Sequence, residues 1–159
     1  MAQGFFDLKT ADDLFRMLKR NFERFRERPW DVDVAYAFFV SALHLPEWIK
    51  GGGRSGERYK DKVAQKNPLI ATCNELAIGA KHFEPKKKNT PPQIKSTSSE
   101  WSRYIAEGYI APGYYEERES LCVYLEPSTL QKLGFSGPSV DAFSLAVRVL
   151  EFWRKEGGF

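Results

Sequence analysis

From Leu14 to Phe25 the apolar residues Leu14, Phe15, Leu18, Phe22 and Phe25 recur at three- and four-residue steps, the spacing of one helix face. Thr10 stands ahead of this run as an N-cap, Asp12 and Asp13 occupy the first turn, and Pro29 closes the element. The apolar prefix Phe5, Phe6 and Leu8 is expected to dock on the core. The next stretch, Asp31 to Lys50, is apolar nearly all round, which predicts a helix inside the protein, with Asp31 as N-cap and a kink at Pro46. Pro68 to Glu84 predicts a third helix, entered through Asn67 and Pro68 and stopped by Pro85 and the lysines behind it. Leu69, Cys73, Leu76, Ala80 and Phe83 share its core face.

The segments between these helices are polar. Gly51 to Asn67 is rich in glycine and lysine and predicts a loop that turns helical after Glu57. Pro85 to Ser99 predicts a polar loop or linker within the domain. In Trp101 to Leu125, β-branched and aromatic residues are separated by Gly108, Pro112 and Gly113, which predicts an antiparallel hairpin or three-stranded meander turning at Ala111 to Gly113. Pro127 to Leu133 predicts a short helix closed by Gly134, and Ser139 caps a final helix from Val140 to Glu156. The order of three N-terminal helices, a small antiparallel sheet and a C-terminal helix predicts a helix-dominated α+β fold, with residues 1–159 as one domain.

Composition narrows the class without naming a function. Apolar residues make up 42% of the chain and aromatics 14%, which suits a packed globule. Charged residues interrupt every apolar run before it reaches the roughly 20 residues a membrane span needs. The N-terminus lacks a basic segment followed by an apolar one, so no signal peptide is expected. Two cysteines are too few for a disulfide scaffold or a thiolate metal site, and reduced thiols imply a cytoplasmic location. A net charge of +3 does not by itself imply nucleic acid.

Two sets of residues carry the candidate chemistry. The chain's histidines, His44 and His82, fall on the second and third helices; Glu47 lies three residues from His44, and Glu75 seven before His82. Were those faces to meet, two imidazoles and two carboxylates would surround one point, the ingredients of a bundle metal site or an acid–base pair. Asn74 and Lys81 share another line of the third helix, and Lys81 is a further candidate for the enzyme reading. The other reading makes each histidine a hydrogen-bonded structural residue. The second set is Arg16, Arg20, Arg24 and Arg28, four-residue steps along the first helix, which suit phosphate or an acidic partner unless nearby acids neutralise them. Gly51, Gly53 and Gly56 form a G-x-G-x-x-G, but it follows a helix rather than a strand, and no P-loop lysine accompanies it.

Asp31 to His44 (DVDVAYAFFVSALH) and Leu76 to Phe83 (LAIGAKHF), with a looser echo in Val147 to Trp153, resemble a family of small bacterial proteins carried on mobile or accessory DNA. Pro46 and Ile78 depart from that pattern. The resemblance implies a shared fold and gives weight to His44, Lys81 and His82, but it brings no activity. The chain shares only helical class with HEPN-type ribonucleases, since no arginine stands at the required distance before either histidine. The first expectation is therefore a binding or interaction protein, with a ligand groove between the His44 and His82 helices and a basic rim; its macromolecular partner is left open between another protein and a second copy of the chain. The others are a hydrolase or ribonuclease-like enzyme using the histidines, and nucleic-acid binding through the basic first helix. No pattern names a cofactor.

Overall fold

The computed structural model describes residues 5–81, 92–105 and 115–159. Four helices come first: α1 (Ala11–Glu27), α2 (Val32–Ile49), α3 (Gly53–Lys66) and α4 (Pro68–Lys81). Strands β1 (Ile94–Ile105) and β2 (Tyr115–Leu125) follow, then α5 (Pro127–Leu133), β3 (Ser139–Asp141) and α6 (Ala142–Glu156). The three strands form one antiparallel sheet in the order β1-β2-β3, so the fold is α+β with helices dominant, as the residue pattern predicts.

The caps explain the helix starts. Thr10 accepts from the Asp13 amide at 3.1 Å, and the Asp13 carboxylate accepts from the Thr10 amide at 3.0 Å, a reciprocal capping box. Asp31 accepts from the amides of Asp33 and Val34, and Asn67 from that of Leu69. Gly134, at φ +72°, ends α5 in the left-handed conformation that glycine adopts without strain. Helix α2 runs on through Pro46 as a single element.

Helix α1 packs on α2, α2 on α3 and α4, and α6 against α1, α2 and α4. Leu18, Phe25, Phe38, Leu45, Ile70, Val149 and Trp153 are fully buried where these helices meet. Phe25 is the centre of an aromatic cluster, with ring centroids 6.3 Å from Phe38, 6.2 Å from Phe39 and 5.5 Å from Phe143. One polar contact is built into the core: Asn21 of α1 donates to Ser41 Oγ at 3.0 Å and to the Ala37 carbonyl at 3.2 Å, and the Ser41 hydroxyl donates to the same carbonyl. That satisfies two buried polar side chains and sets the α1–α2 register.

Four expectations are corrected. The segment after Gly51 is helical from Gly53 rather than from Glu57, giving a fourth N-terminal helix. Gly51, Gly52 and Gly53, at φ +73°, +80° and +60°, make the reversal out of α2, and Gly56 lets α3 press against it: a Cβ at Gly56 would stand 2.9 Å from the Glu47 Cα. The glycine spacing therefore serves a tight turn and a close helix contact. The polar loop predicted to Ser99 gives way to strand at Ile94, because β2 pairs with the Ser/Thr run from Ser96 onward. The last helix starts at Ala142, two residues later than predicted: Ser139–Asp141 pair with β2, and Asp141 is the cap, accepting from the Ser144 amide at 3.0 Å. The N-terminal aromatics do not dock; Phe5 is 64% exposed and Phe6 84%. The predicted turn at Ala111 to Gly113 and the loop at 85–91 lie outside the described residues.

Candidate functional site

His44 projects from the C-terminal half of α2, half-buried, with Nδ1 3.3 Å from Glu47 Oε2. Glu47 is also paired with Lys60 of α3. Burial pushes the Glu47 carboxyl up, but hydrogen bonds from Lys60 and His44 outweigh it and hold the group below its usual value. The result is a clasp between α2 and α3 that also fixes the orientation of the imidazole. A carboxylate-held histidine can exchange protons with a bound molecule, yet among the described residues no group of three or more His, Cys, Asp or Glu could hold a metal.

Glu75 engages a different neighbour. Its carboxylate accepts from the backbone amides of Gln93 at 2.7 Å and Ile94 at 3.2 Å, which ties α4 to the start of β1. The two carboxylates thus take separate partners, Glu47 on α3 and Glu75 at the sheet. Asn74 is half-buried on α4. His82 and the Lys81 side chain lie outside the described residues.

Along α1, Arg16 pairs with Asp12 and lies 3.9 Å from Asp13, Arg26 pairs with Glu23 at 2.5 Å, and Arg28 with Asp31 at 3.1 Å. Arg20 and Arg24 are exposed and have no ion-pair partner among the described residues. The ladder is therefore neutralised at its ends and open in its middle.

A further opening lies elsewhere. A groove of about 600 Å³ runs between α2, α4 and the first two strands. Val32, Ala35, Tyr36 and Phe39 form one wall at steps of three and four along the N-terminal half of α2, and Leu76 and Gly79 of α4 continue it. The opposite side is made by Ile94 and Ser96 to Ser99 of β1, with Leu121, Cys122 and Val123 of β2 beneath. The wall from α2 emerges from the core: Phe39 is 5% exposed, Tyr36 45% and Val32 62%. Large apolar side chains so exposed at the lip of a groove mark a binding surface more often than isolated ones do.

The two thiols differ. Burial pushes the Cys73 thiol up to about 12, so it packs as a small apolar group. Cys122 is half-exposed at the groove, with Sγ 3.6 Å from Ser120 Oγ. On the same face of the sheet as Ser98 and Cys122, the hydroxyls of Ser98 and Tyr124 bond the Glu100 carboxylate and hold it below its ordinary value.

The residue pattern predicts a groove between α2 and α4 at the histidines. The opening described here faces the N-terminal half of α2, next to the sheet, whereas His44 lies in the C-terminal half and His82 lies outside the described residues. The signal that finds it is the helix's all-round apolarity, since every side of such a helix needs a cover and Val32 and Tyr36 have little. Compared with protein-family models, curated proteins and solved structures, the chain has no match.

Proposed function

We propose that the protein is a binding module whose ligand occupies the groove between α2, α4 and β1. The observation that carries this reading is the exposure of Val32 and Tyr36 on a wall that continues directly into the core. A site of a few hundred Å³, mostly apolar and furnished with a few hydroxyls and one carboxylate, has the composition of a ligand groove. Its walls come from elements held by independent contacts: α2 by the core, α4 by Glu75 and β1 by pairing with β2. A site built on such elements keeps its shape before a ligand arrives. Two free cysteines support a reducing compartment, and we place the module in the cytoplasm. No helix among the described residues is long and apolar enough to cross a membrane.

The test uses 8-anilinonaphthalene-1-sulfonate, a dye that brightens in apolar sites. Val32→Asp and Tyr36→Asp are expected to weaken dye binding at least tenfold while circular dichroism and the melting temperature stay close to those of the parent, because both side chains are exposed. Unchanged dye binding in both folded variants overturns the reading.

A further inference from the structure

Helix α3 lends no residue to the groove, and its outer side carries a feature of its own. Arg54, Arg58, Lys62 and Lys66 recur there at four-residue steps, all exposed, in a stripe about 18 Å long. None of the four has an ion-pair partner among the described residues. Glu57 and Asp61 keep the same step along one flank and pair with none of them. On the other flank Lys50, also exposed, is held over the Tyr59 ring at 4.9 Å and adds a fifth cation. The inner side is spoken for: Lys60 pairs with Glu47, and Gly56 presses on the Glu47 backbone, so the stripe rides on a helix fixed to α2.

Taken alone, α3 is destabilised by this layout. Like charges four residues apart repel. Arg54 stands in the first turn, where a cation opposes the helix dipole and no acid offsets it. The helix holds five basic and two acidic residues, so its surplus equals the +3 of the whole chain. Local conflicts of this kind mark functional positions, where an outside partner resolves them.

We infer that the outer face of α3 binds the phosphate backbone of a double-stranded nucleic acid, without reading its sequence. Cations at a regular step along a straight helix match a row of phosphates, whereas a single phosphate needs its donors converged on one point. The apolar residues of α3, Tyr59, Val63 and Ala64, pack inward against the core. The outer face therefore has nothing to sink into a bilayer and no free ring on which an unpaired base could stack. The inference does not depend on the groove.

The probe is a short fluorescein-labelled duplex DNA of mixed sequence, followed by anisotropy in KCl from about 50 to 200 mM. The parent is expected to bind, with the logarithm of its association constant falling against that of salt at a slope of roughly −4. A scrambled duplex should bind equally well. Arg58→Gln combined with Lys62→Gln should weaken binding at least tenfold at the lowest salt and make the slope shallower by about 2. Its circular dichroism and melting temperature should stay near those of the parent, since both side chains are exposed. Arg20→Gln combined with Arg24→Gln, on α1, should leave the affinity nearly unchanged. No duplex binding at the lowest salt, or equal binding by the folded α3 variant, overturns the inference. A loss in the α1 variant as large as in the α3 variant overturns α3 as the contact face. Capture by vesicles of equal parts phosphatidylserine and phosphatidylcholine, lost in the α3 variant and without duplex binding, assigns the stripe to a membrane surface and overturns nucleic acid.

Discussion

Two glycines on neighbouring helices face opposite surroundings, and alanine in their place should act with opposite signs. At Gly56 a new Cβ meets the backbone of Glu47 at 2.9 Å, and backbone cannot swing aside. The overpacking cost of about 1–3 kcal/mol exceeds the propensity gain of about 1 kcal/mol, so Gly56→Ala should lower stability in urea unfolding. At Gly79 nothing lies within 4 Å. Gly79→Ala should therefore raise stability by up to about 1 kcal/mol, and it also narrows the groove. Equal effects at the two sites would mean that α2 and α3 are not in the close contact described. Asp141 gives a second residue-scale test. Burial pushes its carboxyl up, against the hydrogen bonds from Ser144 that make it a cap. A raised value in the fold means the charged form is disfavoured there, so this group's contribution is greatest at low pH and declines as pH rises through its folded value. Asp141→Asn keeps a good cap without the charge. It should match or exceed the parent in stability at neutral pH, whereas Asp141→Ala should lose about 1 kcal/mol with its cap.

Between elements, the clasp of Glu47 with His44 and Lys60 gives the α2–α3 pair a pH dependence of the other sign. The folded value of Glu47 is depressed, so its contribution is fully present above the unfolded carboxylate value near 4.5 and disappears as pH falls through the folded one. Glu47→Gln should flatten the melting temperature against pH in the acid range while changing it less at pH 2, where the parent carboxyl is also neutral. An unchanged acid limb would show that the clasp does not couple to folding. Much at this scale was readable from residue spacing. Thr10, Asp31, Asn67, Pro127 and Gly134 announced helix ends that the structure keeps. Only the first turn of α3 was hidden: it follows glycines of positive φ, which local propensity reads as loop, and it packs on α2 at Gly56. The start of β1 was hidden for a related reason. Ser96 to Ser99 show no apolar alternation, so their strand character comes from β2 and Glu75 rather than from their own side chains.

Across the whole molecule, one cluster joins α1, α2 and α6 around Phe25, which is fully buried. Phe25→Ala should cost about 3–5 kcal/mol, and the loss should appear in every element at once, as a single transition followed by tryptophan fluorescence and far-ultraviolet circular dichroism alike. Loss confined to one helix would mean that the cluster is local. The candidate site was less readable than the core. Apolar periodicity identifies which residues avoid water, but Val32 and Tyr36 carry the same signal as Phe38 and Leu45, and only the positions of α4 and β1 decide which of them remain exposed. The polar residues of the groove, Glu75, Cys122 and the hydroxyls of β1, stand far apart in the chain, so no local motif announces them.

Helix α6 also bears on how the chain behaves while it is being made. It packs against α1, α2 and α4, and its Phe143 lies against both Phe22 and Phe25. A ribosome releases residues in order, so the helices at the start of the chain emerge with their apolar faces prepared and part of their partner surface still unsynthesised. Until Ala142–Glu156 has cleared the exit tunnel, the nascent protein displays a phenylalanine-rich surface to every chaperone and neighbouring chain in reach.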